Sequence, residues 1–541
     1  MSNENDIFWT AGFLNERFPA PVSPLGWSIV GPLFDEYALR DPLRFMGYRD
    51  ADRIPATRLV QGHPYANVLI FQILYRPFPD AVVPADAIRY FPDGNTDNRK
   101  RAPYPSGLLD PRLIGSLLGH FVRDPLNWSP LNYRAWGRYT HEHDRRVDAL
   151  KQKLAAAETP DQIQSIIAGA DRAHADLLRI HRWSLTYADI SYRLIARYAG
   201  ERAQELLADV PNFTAQANAD LLSLGKLASR LGFDLGSNSG LADAQANHEF
   251  SAALSAFLNR HGHRSFGLDI ALPTFAEEPS LPLNLIARDT QPNPHPDTER
   301  APARNQVRSS VPTIQRPLFD LVLALARRYA SLREDQRYYW HKSLAVTRRA
   351  YLKLASLLAE SGDLDSTADI FFLTRSEIES HLQGGTAAGD LREKIAARRA
   401  EYAAFDRAFS QSPATAYPAF LKGDDSLETA RGEDSNAWQG RGVSPGLGRG
   451  RVRVILQAAN LGQVNRGDVL VAPATDPGWT PVFGRLNALV MERGGVLAHG
   501  AIVAREHHLP AVAGIPNITR ELKDGDQVEV DGSNGTVKKI S

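Results

Sequence analysis

The hydrophobic pattern changes period after Gly442, and that change limits the architectures open to the chain. Upstream, apolar residues recur at helical spacing. Val147, Leu150, Leu154, Ile163 and Ile166 mark a helical stretch from Arg145 to Gly169, and Leu177 to Tyr198 continues in the same style. Pro317 to Ser361 reads as a second helical block, opened by proline and closed by Gly362. Two apolar stripes on it are expected to face a core: Leu318, Leu321, Val322 and Leu325, then Leu344, Tyr351, Leu354 and Leu358. Downstream, short strand-like runs take over at Val452–Ile455, Asp468–Ala472, Ala488–Met491 and Gln527–Val530. Asp531-Gly532 and Asn534-Gly535 are turn dipeptides of the hairpin kind. One helix, from about Gly500 to His507, interrupts the strands. The expected fold is therefore multidomain. A mainly α-helical domain spans residues 1–410, a linker rich in Ser, Asp, Gly and Ala spans 411–441, and a small α/β domain able to move as a unit spans 442–541.

Length and charge agree with that division. A chain of 541 residues is too long for one compact core. Lys+Arg and Asp+Glu both total 62, so no global field favours nucleic acid or an anionic membrane. The short basic cluster Arg99-Lys100-Arg101 sits in a Pro-, Asp-, Asn- and Gly-rich stretch over 84–110 and reads as a solvated loop. Residues 288–312, polar and with five prolines, read as another loop. Without cysteine there is no disulfide framework, thiolate metal site or cysteine nucleophile. No apolar run approaches the roughly 20 residues that span a bilayer. Met1 to Asp6 lack the basic and then apolar pattern of a signal peptide, so a cytoplasmic protein is expected. His141-Glu142-His143-Asp144 resembles a metal cluster only in composition. Residues two apart on a helix point to different sides, and a helical metal pair needs a spacing of three or four, so no metal site is expected there.

The segment that carries chemistry is Gly494-Gly495-Val496-Leu497-Ala498-His499-Gly500-Ala501-Ile502-Val503-Ala504-Arg505-Glu506. A strand ends near Glu492, and two glycines let the backbone turn tightly. His499 then falls at the start of a helix. Exposed backbone N–H groups and the positive end of the helix dipole stabilise a phosphoryl group there. A neutral imidazole is a competent nucleophile near pH 7. Gly500 keeps the approach to the ring open. The alternative reading is a histidine that merely caps a helix.

The flanks of this segment carry a resemblance. Upstream stands Val471-Ala472-Pro473-Ala474-Thr475-Asp476-Pro477-Gly478-Trp479-Thr480-Pro481, and downstream stand Leu509-Pro510-Ala511-Val512-Ala513-Gly514-Ile515 and Asp524-Gly525. Residues 442–541 resemble the swivelling phosphohistidine domain of phosphoenolpyruvate-utilising enzymes, in the flavour of the rifampin phosphotransferase and phosphoenolpyruvate-synthase-like group. Pro21 to Ser28, Gly62 to Asn67, Phe257 to Arg264 and Asp369 to Leu373 resemble segments of the acceptor-binding domain in the same group. One departure is Ala498, where many relatives carry Ser or Thr.

The resemblance implies that His499 is transiently phosphorylated, with Gly500, Thr475 and Arg505 stabilising the phosphoryl group. Arg505 lies off the histidine's face of the helix, and a structural salt bridge is its alternative. His263 and Arg264 are implied acceptor-binding residues. Arginine can hold phosphoryl oxygens with two prongs, and histidine can take the proton from an attacking hydroxyl. His63 and Tyr65 are further candidates. The alternative for all four is a buried structural role. Relatives begin with an ATP-grasp-type nucleotide-binding domain that has no counterpart in this sequence, an organisation that resembles phenylphosphate synthase. ATP and Mg²⁺ are then expected on a separate ATP-grasp-type partner subunit, with a hydroxyl of an organic small molecule as acceptor. A phosphocarrier in a regulatory relay and a binding-only relative without catalysis are the alternatives.

Overall fold

The computed structural model describes residues 6–540 except 16, 19, 80–82, 84–86, 88–89, 93–95, 124–131, 208–209, 236, 287–299, 412–415, 424, 427–435, 476 and 496–497. The chain forms two compact units. The first comprises Met1–Trp183, Leu268–Leu272 and Lys342–Arg431, and the second comprises Ser184–Gly267, Pro273–His341 and Gly432–Ser541. The helices Pro160–Ala199 and Arg316–Glu360 contribute residues to both.

The first unit holds a five-stranded antiparallel sheet of β1 (Phe8–Thr10), β2 (Thr57–Val60), β3 (His63–Asn67), β4 (Phe420–Lys422) and β5 (Asp425–Ser426), in the order β2-β3-β1-β4-β5. A two-residue turn joins β2 to β3. Both of its residues, Gln61 and Gly62, have positive φ, the backbone that matches the twist of a tight hairpin. β4 and β5 lie inside the stretch expected to be linker. Phe420 and Leu421 pair with Thr10 and Trp9 because both strands are half apolar and bury Trp9, Tyr65, Tyr417 and Leu421 together.

The helix Pro24–Leu33 begins where its sequence says it should. Ser23 accepts from Gly26 N, and proline occupies the first turn, where its missing N–H costs nothing. The cap is held from far along the chain. Asp269 accepts from Ser23 N and from Ser23 Oγ, each at 2.7 Å, and from Ala271 N at 2.9 Å. Burial pushes the Asp269 carboxyl above the usual carboxylate range, opposed by these hydrogen bonds and by Arg348. A Cβ on Gly26 would come within 2.0 Å of Asp269 Oδ1, so only glycine admits the carboxylate.

Other helices depart from the sequence reading in instructive ways. The run expected over Arg145–Gly169 is two helices, Asn132–Ala156 and Pro160–Ala199. Pro160 disfavours helical backbone at Thr159 and restarts the helix at its own first position. Residues 288–299 of the expected loop lie outside the described residues, and Arg300–Ser310 is helical, with Pro302 in the first turn, where no N–H is required. Leu344, Tyr351, Leu354 and Leu358 are buried as expected, but Leu318 and Leu321 are more than half exposed. Val322 is buried as expected, but Phe319, Leu323 and Ala326 complete its buried face, against Val307 of the unforeseen helix and Val311 just after it. Arg99 is also buried, with Nη2 donating to Phe78 O, whereas a solvated loop was expected. His143 is buried, while Glu142 pairs with Arg146 and Asp144 with Lys342. Among the described residues no group of three His, Cys, Asp or Glu side chains could hold a metal ion, and no helix is long and apolar enough to cross a membrane.

The second unit is built on an eight-stranded sheet of β6 (Ala437–Gln439), β7 (Arg441–Ser444), β8 (Leu447–Val454), β9 (Val469–Ala472), β10 (Ala488–Met491), β11 (Ala511–Ala513), β12 (Gln527–Asp531) and β13 (Thr536–Lys539). The order is β6-β13-β12-β8-β9-β10-β11-β7. β8 to β11 are parallel, and the remaining pairings are antiparallel. Successive residues of β9 and β10 alternate between two apolar clusters. Val469, Val471, Ala488 and Val490 join one, and Leu470, Ala472, Leu489 and Met491 join the other. Both faces are covered, so these strands read as continuous apolar runs. The second cluster also contains Leu221 and Leu224 of the helix Phe213–Leu231, and Phe250, Leu254 and Phe257 of the helix His248–His261. The C-terminal sheet thus shares one core with helices far upstream.

Two outcomes follow. Asp269→Ala leaves Ser23 with a buried N–H and hydroxyl unmatched, and we expect a loss of roughly 3 kcal/mol in urea unfolding; a loss under about 1 kcal/mol would refute the clamp. Burial pulls the His143 imidazole down to about 4. Its folded pKa lies below the unfolded value, so the unfolded chain binds more protons between these two values, and stability is lost as pH falls from about 6.5 toward about 4. From pH 7 to pH 5 this should cost on the order of 2 kcal/mol, and His143→Leu should flatten the slope. An unchanged slope in the variant would remove His143 as its source.

Candidate functional site

The candidate site forms where the parallel part of the sheet meets a short helix. β10 lies between β9 and β11, and its C-terminal end runs into Glu492, Gly494 and Gly495. Gly494 has φ +128°, a backbone that side chains disfavour. Glu492 is buried, and its Oε1 accepts from Thr519 N at 3.1 Å and from the Thr519 hydroxyl. This anchors the base of the turn. Ala498 N donates to Gly495 O at 2.9 Å, closing the loop.

The helix His499–Glu506 follows, with Ala498 as its N-cap at φ −64° and ψ 151°. No side chain caps it. Serine or threonine at residue 498 would direct an oxygen at the first N–H groups, and alanine supplies none. Ala501, Val503 and Ala504 anchor the underside of the helix in the core.

Gly500 has a packing role that the sequence did not disclose. A Cβ there would lie 2.0 Å from Thr475 Oγ1 and 2.8 Å from Met491 Sδ. Thr475 is buried, with its hydroxyl directed at Met491 Sδ at 3.6 Å. The first turn of the helix therefore rests directly on Thr475. Arg505 turns to the sheet instead, with Nη1 donating to Val443 O of β7 at 2.6 Å.

The second cluster lies at the end of the helix His248–His261. Arg264 is 8% exposed, its N donates to His261 O, and its carbonyl accepts from Phe275 N at 2.8 Å. The ring of His263 meets Tyr338 edge-on at 4.6 Å. Two histidines that sequence reasoning missed complete the cluster. His261 Nε2 lies 2.8 Å from Asp220 Oδ2. His341 Nδ1 accepts from Ser265 N at 3.1 Å, which puts the proton of the neutral ring on Nε2. Burial holds the His341 imidazole well below its ordinary value, with Arg337 and Arg264 adding to the shift. Burial also lowers His261, against the pull of Asp220. His341 sits inside a long helix without a motif, so only its partner Ser265, next to Arg264, could have drawn attention to it.

His63 and Tyr65 lie in the first unit, on β3. Both are 1% exposed. His63 stacks on Tyr417 at 4.1 Å, and Tyr65 Oη donates to Pro418 O at 3.0 Å. These side chains are engaged in sheet packing, which supports the structural alternative for both.

The contact at Gly500 gives a direct test. Gly500→Ala should destabilise the second unit by about 2 kcal/mol through overlap with Thr475, and Thr475→Ala in the same chain should recover much of that loss. Equal losses in the single and double variants would sink the assignment.

The family comparisons fall on these same segments. Residues 464–535 match the PEP-utilising enzyme mobile domain, and residues 181–334 match the rifampicin phosphotransferase fourth domain. The uncharacterized phosphotransferase YvkC of Bacillus subtilis is 31% identical over 319 residues, covering 56% of this chain and 38% of its own length. A rifampicin phosphotransferase of Streptomyces sviceus is 30% identical over 321 residues, covering 56% of this chain and 36% of its own. The chondramide synthase of Chondromyces crocatus is 30% identical over 375 residues, covering 61% of this chain and 9% of its own. The chain thus spans little more than a third of the length of the first two relatives. His499 lies inside the first matched region and His263 and Arg264 inside the second, so the chain is similar to the PEP-utilising enzyme mobile domain over residues 464–535 and to the rifampicin phosphotransferase fourth domain over residues 181–334.

Proposed function

We propose that this chain is the phosphohistidine-carrying part of an ATP-dependent phosphotransferase. His499 accepts a phosphoryl group and passes it to a hydroxyl of an organic small molecule. In the first step a ring nitrogen attacks phosphorus, an N–P bond forms, and the donor's P–O bond breaks. In the second, the acceptor oxygen attacks, the N–P bond breaks, and the hydroxyl proton leaves to a base. ATP and Mg²⁺ belong to a separate ATP-grasp-type partner in this reading. Among the described residues no group of three His, Cys, Asp or Glu side chains could hold a metal ion.

The observation that carries the proposal is the helix that starts at His499. It follows a glycine turn at the end of a parallel strand, its first N–H groups have no side-chain cap, and its first turn is pressed onto Thr475 by Gly500. Such N–H groups suit a bound phosphoryl group. The names of the relatives support phosphoryl transfer as the reaction class. Arg264, with neutral His341 close by, supports the second cluster as the acceptor side. Movement of the C-terminal domain between donor and acceptor is part of the proposal. Such movement requires the core shared by its sheet and the helices 213–286 to part.

The test is labelling with ATP carrying a radioactive β-phosphate, in extract of the source cells, on the tagged chain and on His499→Ala. The expected result is acid-labile, alkali-stable label on the wild type alone. Absence of label from both chains in a live extract would overturn the phosphohistidine assignment. Label that chases onto a protein rather than a small molecule would favour the regulatory relay.

A further inference from the structure

The first unit contains a cationic groove to which the reaction proposed above assigns nothing. It lies between the helix Asn132–Ala156 and the N-terminal half of the helix Pro160–Ala199, with Tyr37 at one side, and it encloses about 550 Å³. That volume suits a small-molecule ligand. The spacing of the sequence builds it. Arg146 and Lys153 stand two turns apart on one face of the first helix, and Arg172 and Arg179 stand two turns apart on the second. Between these cations the walls carry Ala149, Gly169 and Ala175. A Cβ on Gly169 would come within 2.7 Å of Leu150 Cδ2, so the glycine lets the two helices approach closely.

Charge in the groove is not balanced. Four cations face one carboxylate, Asp176. Asp176 takes Arg146 Nη1 at 2.7 Å and Arg179 Nη1 at 3.9 Å. Arg146 also reaches Glu142 at 3.2 Å, and the Arg179 guanidinium lies 5.3 Å over the Tyr37 ring. Asp171, next to Arg172, is held by Arg375 at 2.6 Å. Among the described residues, Lys153 and Arg172 have no ion pair. Exposed cations on a convex helix are simply solvated, but cations converging on a concave, partly apolar cavity focus their field on whatever occupies it.

We propose that this groove binds a phosphate-bearing small molecule. Lys153 and Arg172 hold its phosphate oxygens, with Arg146 and Arg179 shared between ligand and Asp176. The guanidinium of Arg172 presents the two-pronged geometry that phosphate favours. The site involves neither His499 nor the cluster around Arg264.

The test is calorimetric titration of the full chain with inorganic pyrophosphate. Saturable binding is expected, weakening as salt rises from roughly 50 to roughly 200 mM. Lys153→Ala combined with Arg172→Ala should weaken binding at least about tenfold, equivalent to about 1.4 kcal/mol. Both side chains are exposed, so an unchanged circular dichroism melt is expected of this variant. Arg172→Lys alone should weaken binding measurably, because an ammonium cannot make the two-pronged contact, and His499→Ala should bind like the wild type. Absence of saturable binding overturns the proposal, and so does binding that the double variant leaves untouched. Binding lost in His499→Ala but not in the double variant would move the anion to the phosphohistidine centre and overturn this site alone.

Discussion

A single buried carboxylate ties together parts of the first unit that are far apart in the chain. Asp269 reaches across 246 residues to Ser23, takes both its backbone N–H and its hydroxyl, and occupies the space that Gly26 leaves empty. Residues on both sides of it, Ser184–Gly267 and Pro273–His341, belong to the second unit. Five residues therefore enter the first unit as an insertion and are fixed there by a buried carboxyl group with three donors. Burying a carboxylate is costly unless its oxygens are satisfied, and here the N-cap of a helix supplies the donors. Start of helix, path of chain and placement of Leu268–Leu272 are one interaction.

The second unit rests on a different kind of constraint. Its parallel strands are apolar on both faces, so each face must be covered. One side is covered within the C-terminal hundred residues, by Ile515, Ile518 and Leu522 among others. The other is covered partly by the helix of His499 and partly by helices of residues 213–286. The histidine-bearing helix is thereby held by its underside, while the turn before it is fixed by Glu492 and Thr519. Precision at the first turn comes from small residues. Glycine at 500 and alanine at 498 let that turn sit on Thr475 without a competing cap.

Burial sets the protonation state of several histidines here. His143, His174 and His341 are all held neutral by burial. His174 does so between Ser343 and Thr347, as part of the helix packing. His341 is different because its ring nitrogen receives the N–H of Ser265, at the edge of the Arg264 cluster. The same desolvation that makes these residues acid-sensitive keeps an imidazole available as a neutral hydrogen-bonding group.

Much of the architecture was legible in local pattern. The strands β8, β9, β10 and β12, the hairpin after Asp531 and the helix at His499 follow from period, turn chemistry and glycine placement, because those signals act over a few residues. The glycine-histidine segment was visible for the same reason. What the sequence could not determine lies in long-range choices. The linker's strands β4 and β6 needed β1 and β13 as partners. The buried face of the helix Arg316–Glu360 depended on a neighbouring helix hidden among prolines. The burial of His63 and Tyr65, the Gly500–Thr475 contact and the joining of His341 to Ser265 bring together residues distant in sequence. Local composition decides what a segment can become. Only the tertiary structure decides which face is desolvated and which partner a polar group finds, because both depend on surfaces that exist only once the chain has closed on itself.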